Sequence, residues 1–581
     1  MNFWLTQVPL LAMYVVLAVS LDLLAGVAEL LSIAQIAFMG VGAYSVGYLT
    51  VTAHWPFLLA TLVGVLIAAL AGAISGIPGL RGRGFIYGVM SFAVAIVAYT
   101  AFNAPNNITN GAEGIAGVPL PSVGAAALSD TWSFIAVYVP IAVVIVLLRW
   151  RLDRSPVNLA LRAIRSDPMA GAISGIGSGR LLIKVMALSA GCAGLGGAMF
   201  AGLIGFVDPS SFSVDQGFLL LVMVIVGGKG NLWGAAFGAI LIGSVPSLVT
   251  YVNLPSSTAG SIEQIIYALI LIVIIRVRAS GIFPERHWLK RERRGAAAPV
   301  GMTPLAPAAA TPPLSAVPLD PVTPPPANAD TVVALECKDL KKSFGGVKAI
   351  RGVSIAFPAG RITGIIGANG AGKTTLIDLL SGVQRPDEGS VEFFGQELRR
   401  SSAVTRRRKG MGRTFQSTRL FHGLSAEENV MSGLGSMSRI GLFRDGLWRG
   451  GRQVPRLRKH ANVYLEEVQL RARLGMDALD LPYGEQKLVG LARALASDAS
   501  VLLLDEPFAG VSADGVSVMS NILRDLTQKG RTVILIDHNV EAVVGLVDYM
   551  VAVDFGAVIA DGDPKDVISD RRVMQSYLGT A

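Results

Sequence analysis

The stretch RITGIIGANGAGKTTLIDLL, residues 361–380, decides what kind of domain the second half of the chain forms. Its β-branched start predicts a strand and its apolar end predicts a helix, with a glycine-rich loop between them. Glycines let the backbone wrap around a phosphate with its N–H groups pointing inward, and the helix N-terminus adds positive field. The pattern predicts an ATP-binding phosphate loop formed by Gly367, Asn369, Gly370, Ala371, Gly372, Lys373, Thr374 and Thr375.

Within this loop, Lys373 is expected to neutralise β- and γ-phosphate oxygens, and Thr374 to offer its hydroxyl to Mg²⁺. Two more strands are predicted to end at the same edge of a parallel sheet, where α/β domains bind ligands. VLLLD (501–505) ends in Asp505, a predicted Mg²⁺ ligand, and is followed by Glu506, placed to polarise a water molecule. TVILID (532–537) brings His538 there as a γ-phosphate sensor, unless it is an ordinary surface histidine.

The first half of the chain has a different composition. Overall, 52% of the 581 residues are apolar and 16% are charged, but 21 charged residues fall in the first 278 and 70 in the remaining 303. This division predicts a membrane domain (1–280) and a soluble α/β domain (331–581). The net charge of +9 therefore does not indicate binding to nucleic acid.

Nine apolar segments are candidates to cross a bilayer, which takes about 20 residues. They run approximately over 9–29, 31–53, 56–79, 85–103, 132–149, 184–206, 217–228, 232–254 and 262–277. The seventh is short enough to be a broken or re-entrant piece. Lys and Arg occur only in alternate loops, which predicts a multi-pass protein with its amino terminus outside and its second half in the cytoplasm.

Three other features of the sequence lead to specific expectations. Asp22 and Glu29 are predicted to share one face of the first segment, either as functional carboxylates or as groups that pair near its cytoplasmic end. The stretch 158–177 predicts a short amphipathic helix, either a docking element for the second half or a helix on the membrane surface. Residues 281–330 are predicted to be a basic, then Ala- and Pro-rich, passive tether.

The second half resembles ABC ATPases over 335–581. LPYGEQ (481–486), about 20 residues before VLLLDE, occupies the place of the ABC signature, and RTFQ supplies Gln416. Pro482 stands where the family commonly has serine, and Ser512 near where it has aspartate. The resemblance implies that Phe344 stacks on adenine and that Gln416, as a catalytic residue and Mg²⁺ ligand, links the nucleotide to the membrane half. It also implies that Tyr483, Gly484 and Glu485 contact the γ-phosphate bound by a partner.

The first half resembles the permease subunit of branched-chain amino acid importers, a likeness that urea and short-amide permeases share. GIPGLRGRGFIYGVMSFA (76–93) and VMVIVGGKGNLWGAAFGAIL (222–241) are among the stretches that carry it. Together the two resemblances imply a polytopic α-helical membrane domain fused to an α/β P-loop ABC ATPase domain. They imply half of an importer in a bacterial inner membrane, acting in contact with lipid.

That half-importer needs three partners: a second permease subunit, a second ABC ATPase subunit and an extracytoplasmic solute-binding protein. The alternatives are an importer of urea or short amides, an ABC exporter half-transporter, and a membrane-anchored ATPase that signals without transport.

Overall fold

The computed structural model describes residues 3–80, 85–123, 126–251, 256–285, 332–398, 401–435, 437, 440–448 and 450–578. Most of the predicted tether, residues 286–330, lies outside them. The chain divides into two compact units. Unit 1 contains the described residues up to Arg165, those from Ser178 to 285, and Gly441–Gln453. Unit 2 contains Ser166–Gly177, the described residues from 332 to Ile440, and those from Val454 onward.

The described part of the first half of the sequence is mainly helical. Its helices are α1 (Phe3–Asp22), α2 (Gln35–Val51), α3 (Phe57–Gly79), α4 (Phe85–Asn103), α5 (Thr131–Asp153), α6 (Pro156–Ser166), α7 (Pro168–Ile173), α8 (Ser178–Ile204), α9 (Val214–Gly227), α10 (Leu232–Gly243), α11 (Val245–Tyr251) and α12 (Ser256–Val277). Two short antiparallel pairs join β1 (Ile115–Ala116) to β4 (Phe206–Val207) and β2 (Ser122–Val123) to β3 (Ala126–Ala127).

Among the described residues, seven helical stretches are long and apolar enough to cross a membrane. They correspond to seven of the nine predicted segments. The other two predicted segments are the shorter apolar helices Gln35–Val51 and Val214–Gly227. Small residues allow the helices of unit 1 to pack closely: a Cβ at Gly197 would lie 1.9 Å from the Met39 carbonyl oxygen, and one at Gly42 would lie 2.2 Å from that of Gly194.

The first segment is interrupted, which corrects one expectation from the sequence. After Asp22 the chain forms a π-helical turn over Leu23–Val27 and then leaves helical geometry, with Glu29 at φ +55°. Asp22 is fully buried, whereas the Glu29 side chain is 62% exposed. The prediction that these two carboxylates share one helix face was wrong because regular helical geometry ends between them.

Unit 2 is built around a six-stranded sheet in the order β10-β11-β12-β7-β13-β14, parallel except for the edge pair β13 and β14. Its strands are β7 (Ile362–Ile366), β10 (Met411–Arg413), β11 (Val501–Asp505), β12 (Thr532–Ile536), β13 (Tyr549–Asp554) and β14 (Ala557–Gly562). A four-stranded antiparallel sheet contains β5 (Val333–Phe344), β6 (Val347–Pro358), β8 (Glu388–Phe393) and β9 (Gln396–Glu397). The aliphatic strands β7, β11 and β12 are buried along their whole length, as expected for the centre of a parallel sheet.

The helices of the ATPase half of the sequence are α13 (Lys373–Ser381), α14 (Ala403–Arg408), α15 (Ala426–Gly433), α16 (Gly450–Glu467), α17 (Tyr483–Leu495), α18 (Ala513–Gln528), α19 (Val540–Val544), α20 (Pro564–Ser569) and α21 (Arg571–Leu578). A π-helical turn covers Leu442–Trp448. Helix α7, from the permease half of the sequence, belongs to unit 2 and packs against α14.

Candidate functional site

The carboxyl ends of four parallel strands bring the predicted polar residues to one edge of the six-stranded sheet. Strand β7 leads into the glycine-rich loop and β11 ends at Asp505. Strand β12 precedes His538 by two residues, and β10 precedes Gln416 by three. Because parallel strands in register end together, segments far apart in sequence meet there.

The phosphate loop has the predicted backbone form. Gly370 (φ +85°) and Gly372 (φ +99°) occupy the left-handed region, and a Cβ at Gly372 would lie 2.6 Å from the Ala349 carbonyl oxygen. Helix α13 begins directly at Lys373, so its free N–H groups face the loop. The Lys373 ammonium donates to the carbonyl oxygens of Gly367 (2.7 Å) and Ala368 (2.9 Å), and burial lowers its pKa.

Glu506 is held by Gln416 and His538, the two residues that were predicted to be catalytic with it. Its Oε2 accepts a hydrogen bond from Gln416 Nε2 at 2.9 Å, and its Oε1 lies 2.8 Å from His538 Nε2. The residue is buried and adopts φ +48°, a conformation that a side-chain-bearing residue keeps only when its surroundings impose it. Both carboxylate oxygens are therefore fixed at the strand ends.

Asp505 differs from Glu506 because it is only partly satisfied. Its side chain is 2% exposed, Oδ2 lies 3.7 Å from Arg413 Nη2, and Oδ1 has no hydrogen-bond partner among the described residues. Burial raises the pKa of this carboxyl to about 6, partly offset by the Arg413 charge. A buried carboxylate oxygen without a partner fits a cation ligand.

The residues implied by the ABC resemblance lie on two other elements. Phe344 ends β5 with its ring 43% exposed, as a ring free to stack on a base would be. Tyr483, Gly484 and Glu485 form the first turn of α17, with Pro482 as its N-cap. The Tyr483 ring is 44% exposed, and Glu485 pairs with Arg473 at 3.1 Å.

Sequence reasoning missed several residues that hold this site together. Lys487 Nζ donates to the Glu506 carbonyl oxygen at 2.5 Å, and Asp537 Oδ2 accepts from the Phe508 amide at 2.8 Å. Arg413 pairs with Asp378 at 2.6 Å beneath the phosphate-loop helix. Arg413 lies inside the quoted motif RTFQ and Lys487 directly follows LPYGEQ, but their partners are 35 and 19 residues away in sequence.

Asp22 belongs to a cluster of ion pairs in unit 1, which explains how its buried charge is compensated. Its Oδ2 accepts from Arg149 at 3.1 Å and its Oδ1 from the Gly230 amide at 2.7 Å. The remaining pairs of the cluster are Arg149 with Asp153, Arg162 with Glu285, and Arg165 with Glu285 and Glu29. The hypothesis that these carboxylates pair at one end of the bundle agrees with this geometry.

The predicted amphipathic helix is two helices, α6 and α7, with Asp167 between them. Asp167 caps α7 by accepting from the Met169 and Ala170 amides, and its other oxygen lies 3.3 Å from Arg419 Nη1. Ser166 Oγ accepts from the His422 amide at 2.8 Å, and Ala170 is fully buried. These contacts within unit 2 support a docking element rather than a helix on the membrane surface.

Comparisons with known proteins assign both halves. Residues 4–275 match the family described as branched-chain amino acid transport system / permease component, and residues 350–509 match the family described as ABC transporter. A probable ABC transporter ATP-binding protein of Azorhizobium caulinodans is 34% identical over 243 residues, which are 41% of this chain and 81% of that protein.

Two further relatives have more specific descriptions. The high-affinity branched-chain amino acid transport ATP-binding protein BraF of Pseudomonas aeruginosa is 33% identical over 42% of this chain and 98% of its own length. The lipopolysaccharide export system ATP-binding protein LptB of Acidithiobacillus ferridurans is 31% identical over 42% of this chain and 96% of its own length. The chain therefore belongs to the ABC transporter family, as a membrane protein in which a permease of the branched-chain amino acid transport type is fused to an ABC ATPase that couples ATP hydrolysis to transport.

Proposed function

We propose that this chain is half of an importer that moves branched-chain amino acids or related small solutes into the cytoplasm across a bacterial inner membrane. The observation that carries the proposal is the match of residues 4–275 to the branched-chain permease family. The relatives of the ATPase half include both amino acid transport and lipopolysaccharide export proteins, so that half does not decide the direction.

In the proposed hydrolysis step, Glu506 polarises the attacking water. Gln416 and His538 hold its two oxygens, so the carboxylate meets its water without reorienting. Lys373, now bonded to two carbonyl oxygens of its own loop, exchanges them for β- and γ-phosphate oxygens when ATP binds. His538 then senses the γ-phosphate from the adjacent strand end.

The residues at this edge also fit Mg²⁺. The unpartnered Oδ1 of Asp505 is a hard anionic oxygen, and the Thr374 hydroxyl and the Gln416 amide oxygen are ligands of the same kind. Asp505, Thr374 and Gln416 would hold the ion together with phosphate oxygens of the nucleotide. When bound, the ion neutralises charge that develops on the phosphates.

The signature residues require a second ATPase domain. Tyr483, Gly484 and Glu485, at the exposed start of α17, act on the nucleotide bound by that partner, while Phe344 stacks on the adenine of the chain's own nucleotide. A second permease subunit completes the solute pathway, and an extracytoplasmic binding protein delivers the solute.

The test is transport by the chain and its co-purified partners in proteoliposomes. We expect leucine uptake that requires ATP on the ATPase side, and no uptake by the Lys373→Ala variant in the same assembly. Unlabelled urea and acetamide, added as competitors, test the short-amide alternative. ATP-driven efflux of leucine without uptake would contradict the proposed direction, and hydrolysis without movement of any of these solutes would contradict import of this class.

A further inference from the structure

One segment of the ATPase half of the sequence folds with the permease. Residues 441–453 belong to unit 1, although the described residues on both sides of them belong to unit 2. We refer to residues 441–453 as the insert. It consists of the π-helical turn Leu442–Trp448 and the first residues of α16. The insert is therefore a part of the ATPase half of the sequence that packs against membrane helices.

The insert is stiffened from within by Asp445, which is 3% exposed. Its Oδ2 accepts from the Gly441 amide at 2.8 Å and its Oδ1 from Gln453 Nε2 at 3.0 Å, so the two ends of the insert are tied to one side chain. Arg444 also pairs with Asp445, at 3.0 Å. The two ends of the insert are therefore linked through one buried carboxylate.

The insert packs against the end of α5 and the start of α6. Arg151 Nη2 donates to the Trp448 carbonyl oxygen at 2.6 Å. A Cβ at Gly446 would lie 2.8 Å from Leu152 Cδ1, and a Cβ at Gly450 would lie 2.6 Å from Ser155 Cβ. The close approach matters most at Gly450, because Ser155 Cβ is fixed to the backbone whereas the end of the Leu152 side chain can move.

The corner that receives the insert is also the start of the docking element. Helix α6 begins at Pro156, next to Ser155, and is followed by α7, which packs in unit 2. Helix α16 begins at Gly450 in the insert and continues to Glu467. In its middle, Arg458 pairs with Glu427 of α15 at 3.1 Å. Each half of the chain thus contributes one segment to the other half's unit.

We propose that the insert is a second coupling contact, through which the ATPase acts on the α5–α6 corner in addition to its contact with α7. The proposal depends on the function proposed above, ATP-driven transport. A permease segment that contacts ATPase residues at one point can rotate about that point. A segment that contacts them at two points must also follow their rotation. The connection α5–α6–α7 packs against the insert at its α5–α6 corner, within unit 1, and packs at α7 within unit 2, so it would receive ATP-driven changes through two packed segments.

The experiment uses the full chain in its assembly and compares Gly450→Val with Gly451→Val. A Cβ at Gly450 collides with Ser155, whereas one at Gly451 meets no atom of the described residues within 4 Å, so the neighbouring glycine is a matched control. We expect Gly450→Val to lower ATP-driven leucine transport at least tenfold while basal ATPase in detergent stays within twofold. We expect Gly451→Val to leave both unchanged. Equal transport by the two variants would overturn the proposal.

A second measurement separates failure of this proposal from failure of the proposed function. Hydrogen exchange of the peptides covering 150–160 and 166–177 is followed with and without Mg²⁺ and ATP, in a Glu506→Gln background that keeps nucleotide bound. We expect both peptides to respond, and Gly450→Val to abolish the response of 150–160 only. No response of 150–160 in the Glu506→Gln chain, or an unchanged response after Gly450→Val, would overturn the coupling role even if leucine is not the solute.

Discussion

The strand-end site of unit 2 and the ion cluster of unit 1 both bury a carboxylate, but they satisfy it differently. Asp22 has both oxygens bonded inside the protein, to Arg149 and to the Gly230 amide. Asp505 has one oxygen near Arg413 and the other without a partner. A buried charge needs compensation, so a complete set of partners indicates a structural role and an incomplete set indicates a missing ligand. The intramembrane position of Asp22 alone did not reveal which role it has.

The largest expected effect tests the functional side of this comparison. Glu506→Gln should lower ATP turnover by at least about a hundredfold, because it removes the group that polarises water while preserving shape and hydrogen-bonding capacity. Nucleotide binding, measured by equilibrium dialysis, should persist. Lys373→Ala is the contrasting variant and should lose binding as well. Turnover within twofold of the parent would contradict the role of Glu506.

The structural side of the comparison is tested by stability. Arg149→Ala should lower the free energy of unfolding of the permease by about 3–5 kcal/mol, because it leaves Asp22 charged and buried. Asp22→Asn combined with Arg149→Leu should recover most of this loss, since it removes the orphan charge and keeps an acceptor for Gly230. The measurement is denaturation in detergent.

The exposed Arg154, which lies over the Trp150 ring at 3.8 Å, supplies the control for that experiment. Arg154→Ala should cost about 0.5–1 kcal/mol, the usual value of an exposed cation–ring contact. If Arg149→Ala costs no more than Arg154→Ala, the ion cluster does not stabilise the fold.

A smaller effect on transport is expected from a substitution in α7, the permease segment that packs within unit 2. Ala170 is fully buried in unit 2, so Ala170→Glu should displace α7 and lower transport about tenfold while ATPase activity persists. Gly177→Glu is the control, because within the described part of the chain a Cβ at Gly177 meets no atom within 4 Å. The measurement is transport and ATPase activity of both variants in the same reconstituted samples. Equal transport by these two variants would leave α7 without a coupling role.

The smallest effect is expected from cutting the predicted tether. Co-expression of residues 1–295 with 331–581 should restore transport to within about twofold when both pieces are abundant, since coupling passes through noncovalent contacts and the covalent link only raises local concentration. Uptake in membrane vesicles is the measurement. Two folded and correctly located pieces that fail to transport would show a structural role for the tether.

Much of the nucleotide site was predictable because its signals are local. A glycine-rich loop between a strand and a helix, and acidic residues after an aliphatic strand, are constrained by backbone conformation and by the geometry of parallel sheets. His538 was assigned to this edge from such a pattern and Gln416 from the ABC resemblance, and both contact Glu506. Composition alone likewise predicted the apolar helices, because a bilayer imposes both their length and their polarity.

The tertiary structure decided which distant groups meet. The break after Asp22, its pairing with an arginine 127 positions away, and the hold of Lys487 on Glu506 have no signature in their own segments. Nor does the exchange of residues 166–177 and 441–453 between the two units. Local sequence determines backbone conformation and burial preference, whereas the partner of a buried charge or of a close-packed glycine is selected by the whole packing arrangement, which no short segment encodes.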